Sequence, residues 1–193
     1  MKIKDYKSFQ KKVSDLNYVV NNSYYLSEIL QFSTNLHFTL CVLNLSDEEN
    51  LLKVDVVMSK LIPKVKEILG NKTLYLTPEK FDNFGNIKNT KVIFLKMQED
   101  ENYKKLMNAI EFTMNELIKE NLLESSDKEV KLHLTIFNTT FKNSPKGFNA
   151  QEIYEFIKDV KFPIFELNDL KLSKMGVNKK TWLYDTIYSY PLI

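Results

Sequence analysis

A chain of 193 residues, 44% hydrophobic and 27% charged with a net charge of +2, has the size and composition of one folded domain, which excludes a disordered chain, a fibre and a disulfide-stapled scaffold. All 27 basic residues are lysine, so there is no guanidinium fork for bidentate phosphate binding and no strong global field to draw in long nucleic acid. A single cysteine, Cys41, a polar lysine-rich opening in place of a basic-plus-apolar leader, and the lack of any apolar run near the roughly 20 residues of a membrane span point to the cytoplasm or nucleus. The excess of 19 Asn over two Ala reads as codon background.

In chain order, the first predicted element is a helix over residues 4–20, with Tyr6, Phe9, Val13 and Leu16 at helical spacing. Asn21, Asn22 and Ser23 end it. A strand is expected over residues 36–45. Ser46 then reads as an N-cap closed by Glu49 in a capping box. The helix behind it carries Leu52, Val56, Leu61, Val65 and Ile68, ends near Gly70, and contains Pro63 as a point of kinking or splitting. Residues 73–81 and 91–97 read as strands around a turn-rich stretch at 82–86. A strongly amphipathic helix runs from 101 to about 122 through Leu106, Ile110, Met114, Leu117 and Ile118. A strand over 131–139 follows. Asn149 and Glu152 form a second capping-box signature, opening a short helix to about 160. Residues 165–173 and 181–188 alternate like strands joined by a loop containing Gly176. Strand, helix and strands recur in the same order, so the chain reads as two related α+β halves.

The chemical signal lies in the two histidines, the only ones in the chain. His37 sits in Leu36-His-Phe-Thr-Leu40 and His133 in Leu132-His-Leu-Thr-Ile136. On a strand, alternate side chains share a face. Each segment therefore offers an imidazole and a hydroxyl side by side, His37 with Thr39 and His133 with Thr135, on an apolar backing. Alternating apolar residues are ordinary strand patterning. With 11 threonines in the chain, a Thr two places after both histidines arises by chance about once in 300. Metal-free hydrolysis of a phosphodiester needs a base for water and an acid for the leaving oxygen. Imidazole serves as either near neutral pH, and neighbouring hydroxyls can donate to the non-bridging oxygens.

The paired His-x-Thr segments resemble those of the two-histidine (2H) phosphoesterase superfamily. The nearer likeness is to the branch holding the A-kinase anchor protein central domain and the activating signal cointegrator complex subunit. It extends over residues 36–190, through the acidic helix start Asp47-Glu-Glu49, Phe84-Gly85 before a strand, and the strand at 165–173. The resemblance implies an α+β, bilobal, LigT-like fold. Two pseudo-symmetric lobes would each have an antiparallel sheet and outer helices, with the active cleft between them, and all 193 residues would form one two-lobed domain. It also implies a strand ahead of the first helix, for which only residues 1–4 remain. By the same likeness, His37 and His133 are acid and base, Thr39 and Thr135 bind phosphate, and no cofactor or metal is needed. The substrate is a nucleotide or short RNA phosphodiester: a 2′,3′-cyclic phosphate, a 2′-5′ oligoadenylate or an RNA 3′ end. The alternative is a non-catalytic module that binds nucleotides or RNA ends within a larger complex. A monomer without membrane attachment is expected.

Other residues carry weaker signals. Cys41 shares the His37 face of a regular strand and admits a Cys–His hydrolase, although a small buried residue is the commoner role. Two histidines 96 residues apart do not make a metal-binding motif. Phe137, on the His133 face, and Phe141 are candidates to stack on a base, and Lys131 is a candidate for a basic rim. A purely structural interaction domain is the third reading, and it requires that the two imidazoles do not converge.

Overall fold

The computed structural model describes residues 6–15, 17–20, 24–45, 47–124, 130–142, 146–160, 162, 164–178, 180–181 and 183–193, with the backbone alone at 24, 141 and 142. It is a mixed α+β chain with antiparallel strand pairs. Two compact units divide it: Met1–Phe38, Thr77–Met97 and His133–Phe165 form the first, and Thr39–Leu76, Gln98–Leu132 and Glu166–Ile193 the second. The units are interleaved along the chain and are not its two halves. The expected strand within residues 1–4 and the expected cap at Ser46 lie outside the described residues.

The first unit is built on a three-stranded antiparallel sheet of β4 (Pro78–Asn83), β5 (Val92–Met97) and β6 (Leu134–Asn138), with β5 in the middle. Helix α1 (Tyr6–Asp15) lays Tyr6, Phe9 and Val13 into the core. It is shorter than the helical spacing suggested, because Asn17 turns left-handed (φ 47°). Val19–Val20 then pairs as β1 with β2 (Tyr24–Tyr25). The Phe9 ring meets Phe137 at 6.1 Å and Phe162 at 5.1 Å, and Phe81 meets Phe162 at 5.5 Å. These contacts make an aromatic core on one side of the sheet. Helix α4 (Ala150–Ile157) is capped by Asn149, which accepts from the Gln151 N–H at 3.1 Å and donates through its amide to Glu152 at 2.9 Å. The capping residue is therefore the expected one, and Glu152 engages its side chain.

The strand expected over residues 36–45 does not form. The free edge of β6 is already taken by residues 29–31. The Gln31 N–H donates to the Ile136 carbonyl at 2.7 Å, and the Asn138 N–H donates to the Ile29 carbonyl at 2.8 Å. A 3₁₀ turn at Ser33–Asn35 then lifts the chain away. It pairs with β6 again at Phe38, in an isolated antiparallel bridge to Leu134.

In the second unit, helix α2 (Glu48–Leu69) is capped by Asp47, whose carboxylate accepts from the Asn50 N–H at 2.7 Å. Gly70 ends the helix in the left-handed conformation. Pro63 lies inside an unbroken helix. It cannot donate to the Ser59 carbonyl, but both residues are exposed, so water can serve that carbonyl. The buried stripe is Val54, Met58, Val65 and Leu69. Leu52 and Val56, expected inside, are 57% and 53% exposed. Helix α3 (Glu101–Lys119) buries Leu106, Ile110, Met114 and Leu117 as its spacing predicts. The stretch expected as one strand over 73–81 is two, β3 (Leu74–Leu76) and β4, because the chain passes between units at Thr77. After β7 (Phe165–Leu167), strands β8 (Asp169–Val177) and β9 (Tyr184–Pro191) form a long hairpin. Gly176 (φ 81°) lies within β8 and not in the connecting loop.

Two tyrosines of the first unit tie α4 to its surroundings. Tyr18 donates to Glu152, and Tyr154 donates to the Asn83 side chain at 2.9 Å. Burial pushes both hydroxyls up to about 12; the Glu152 bond adds to this for Tyr18, and the Asp82 charge adds to it for Tyr154. A free tyrosine titrates near 10. A folded-state value above the unfolded one means that the associated stability is present below about pH 10 and is lost as pH rises towards 12. The expected result is a melting temperature that falls over that window, and a flatter profile in the Tyr18→Phe/Tyr154→Phe double variant, read by circular dichroism against pH.

Candidate active site

Strand β6 explains where the second histidine segment lies. Leu134 and Ile136 are fully buried, Thr135 is half-buried opposite Phe94, and His133 is half-buried just before the strand begins. His133 meets Phe84 nearly edge-on, with ring centroids 4.9 Å apart at 85°, and meets Phe94 at 5.4 Å and 66°. Phe84 and Phe94 are themselves 4.5 Å apart. The imidazole therefore sits in an aromatic slot on one side of the sheet, the side opposite the core formed with α1.

His37 arrives by the irregular edge. The isolated Phe38–Leu134 bridge brings the segment that carries His37 to the start of β6, next to the segment that carries His133. His37 is exposed, and its Nδ1 lies 2.6 Å from the Asn35 carbonyl oxygen. A carbonyl only accepts, so Nδ1 is the donor in this contact.

Thr39 is exposed and opens the second unit. Lys131 is exposed, also in the second unit. Phe137 is not on the His133 face. The register slips between Ile93 and Phe94, with Ile93 opposite Phe137 and Phe94 opposite Thr135. Ile136 is therefore the extra residue of a β-bulge, and beyond a bulge the alternation reverses. Phe137 turns into the core with Phe9 and is 0% exposed, which removes it as a base platform. The side chain of Phe141 is outside what the structure describes. Cys41 is half-buried in a stretch without strand pairing, so the regular alternation that put it on the His37 face does not apply. Among the described residues, no group of three His, Cys, Asp or Glu side chains is arranged to hold a metal, and no helix is long and apolar enough to cross a membrane.

Sequence reasoning missed the Asn35 carbonyl, because a main-chain acceptor leaves no mark on residue identity. It also missed Phe94 as a wall for His133. Gln31 and Asn35 are both buried, each 4% exposed, but residues 26–36 mix polar and apolar types, so nothing in the sequence marks these two.

An α+β chain with two His-x-Thr segments has the marks of the 2H phosphoesterases. The chain belongs to that superfamily: residues 3–192 match the family described as the AKAP7 2′5′ RNA ligase-like domain. The match takes in α1, beyond the stretch from 36 to 190 that the motifs alone suggest. No curated protein matches the chain.

Proposed function

We propose that the chain is a metal-independent phosphodiesterase. Its substrate would be a nucleotide or short RNA phosphodiester: a 2′,3′-cyclic phosphate, a 2′-5′ oligoadenylate or an RNA 3′ end. His37 and His133 exchange protons with the attacking and leaving oxygens, and Thr39 and Thr135 hold the non-bridging oxygens. The observation that supports this most is the antiparallel bridge between Phe38 and Leu134, because each of these residues adjoins one of the two histidines. The His37 tautomer fits the role: with Nδ1–H given to a carbonyl, Nε2 is the working nitrogen. The family's name carries the term NLS, which supports work in the nucleus.

The test is turnover in excess EDTA on a panel of 2′,3′-cyclic nucleotides, 2′-5′ oligoadenylate and short RNAs with cyclic-phosphate or hydroxyl ends. The expected result is cleavage of one linkage at the same rate with and without chelator. Binding of the panel without any cleavage overturns the enzyme reading in favour of a nucleotide- or RNA-end-binding module. Cleavage abolished by EDTA overturns the metal-free mechanism.

A further inference from the structure

The loop that carries His37 is fastened at its root by a residue far from it in sequence. The Tyr6 hydroxyl, at the start of α1, donates to the Gln31 carbonyl at 2.6 Å, and the Gln31 N–H donates to the Ile136 carbonyl of β6 at 2.7 Å. The backbone of one residue, Gln31, is thus held through its carbonyl by the helix and through its N–H by the sheet. From it, the Gln31 side-chain amide reaches the Asn35 carbonyl in a long bond of 3.5 Å, and that same oxygen accepts Nδ1–H of His37 at 2.6 Å. Tyr6, Gln31 and Asn35 are all buried. Burial in this interior holds the Tyr6 hydroxyl protonated far above the ordinary tyrosine range, so this donor persists at any working pH.

We infer that Tyr6 is a positioning residue for His37, acting through Gln31 and the Asn35 carbonyl. The N-terminal helix would then be part of the machinery that orients one imidazole, in addition to covering the core. This rests on the phosphodiesterase reading for its catalytic consequence, but not for its structural one. The ring of Tyr6 is held separately, by Phe9 at 5.6 Å and Phe162 at 6.4 Å. Replacement by phenylalanine therefore keeps the packing and deletes one hydrogen bond.

The experiment compares the whole chain with its Tyr6→Phe variant by long-range ¹H–¹⁵N correlation of the imidazoles, at a pH where they are neutral. In the unaltered chain His37 is expected as the Nδ1–H tautomer. In Tyr6→Phe it is expected to shift measurably towards the Nε2–H form while His133 stays unchanged. The control is Thr113→Val, which removes another buried hydroxyl bond, from Thr113 to the Ala109 carbonyl in α3, and is expected to lower the melting temperature comparably without moving His37. On a substrate that the unaltered chain cleaves, Tyr6→Phe is expected to lower kcat roughly tenfold with little change in KM. An unchanged His37 tautomer in Tyr6→Phe overturns the inference, even if the chain is an active phosphodiesterase. A chain with no turnover at all, whose His37 tautomer nonetheless shifts in Tyr6→Phe, upholds the positioning and overturns only the catalytic reading.

Discussion

Alanine at His37 is expected to lower turnover by about 10²–10⁴-fold, and alanine at His133 to do the same, because in the proposed mechanism each removes one proton transfer from the displacement. The two variants are expected to differ in stability. His37 is exposed, and its removal gives up the Nδ1 bond to the Asn35 carbonyl, worth about 0.5–1.5 kcal/mol. His37→Ala should thus melt only a little below the unaltered chain while losing its activity. His133 fills the slot between Phe84 and Phe94, where each edge-on aromatic contact is worth about 0.5–1.5 kcal/mol. His133→Ala should lose activity and some thermal stability together. The double variant should be little worse than either single one, since an acid and a base that act on one phosphate fail as a unit. Single-turnover rates and melting curves of the three variants check this. Retention of more than about a tenth of the rate in His37→Ala would remove that imidazole from the mechanism.

Phe137→Ala is expected to cost about 3–5 kcal/mol of stability, the usual range for emptying a fully buried phenyl site. In a chain of this size that lowers the melting temperature by roughly 6–20 °C. The side chain is fully buried, faces Ile93 across the sheet register and meets Phe9 of α1, so its loss opens the joint between helix and sheet. The alternative role, a stacking platform, predicts the opposite pattern: unchanged melting and a loss of ligand affinity of about 1–3 kcal/mol. Thermal melting beside binding of a short oligonucleotide separates the two, and an unaltered melt would show that the bulge at Ile136 does not hold in solution.

That bulge also shows where the sequence stops being legible. Helix α3 reads directly from Leu106, Ile110, Met114 and Leu117, because one strong stripe against one core settles its face. Helix α2 has apolar residues on more than one side, so periodicity alone picked Leu52 and Val56, while packing selected Val54 and Met58. The apolar alternation around His37 is as regular as that around His133, yet only His133 leads into a strand. Which segment wins the edge of β6 depends on residues 29–31, and that competition is invisible in either motif. The histidines themselves were legible, because their spacing to threonine is a property of residue identity. The tie from His37 to the Asn35 carbonyl, and the reversal at Ile136, are properties of the backbone.

The interleaving of the two units has a consequence for synthesis. The first unit takes its last segment at Phe165, whereas the second needs residues 166–193, including both strands of its long hairpin. A chain emerging from the ribosome therefore holds every segment of the histidine-bearing sheet before the other unit has its final pair of strands, and domains tend to fold as units in the order in which they are made. Pairing β6 with β5 and with residues 29–31 joins segments far apart in sequence, which makes closure of that sheet slow. Residues 166–193 supply neither histidine; they contribute to the second unit.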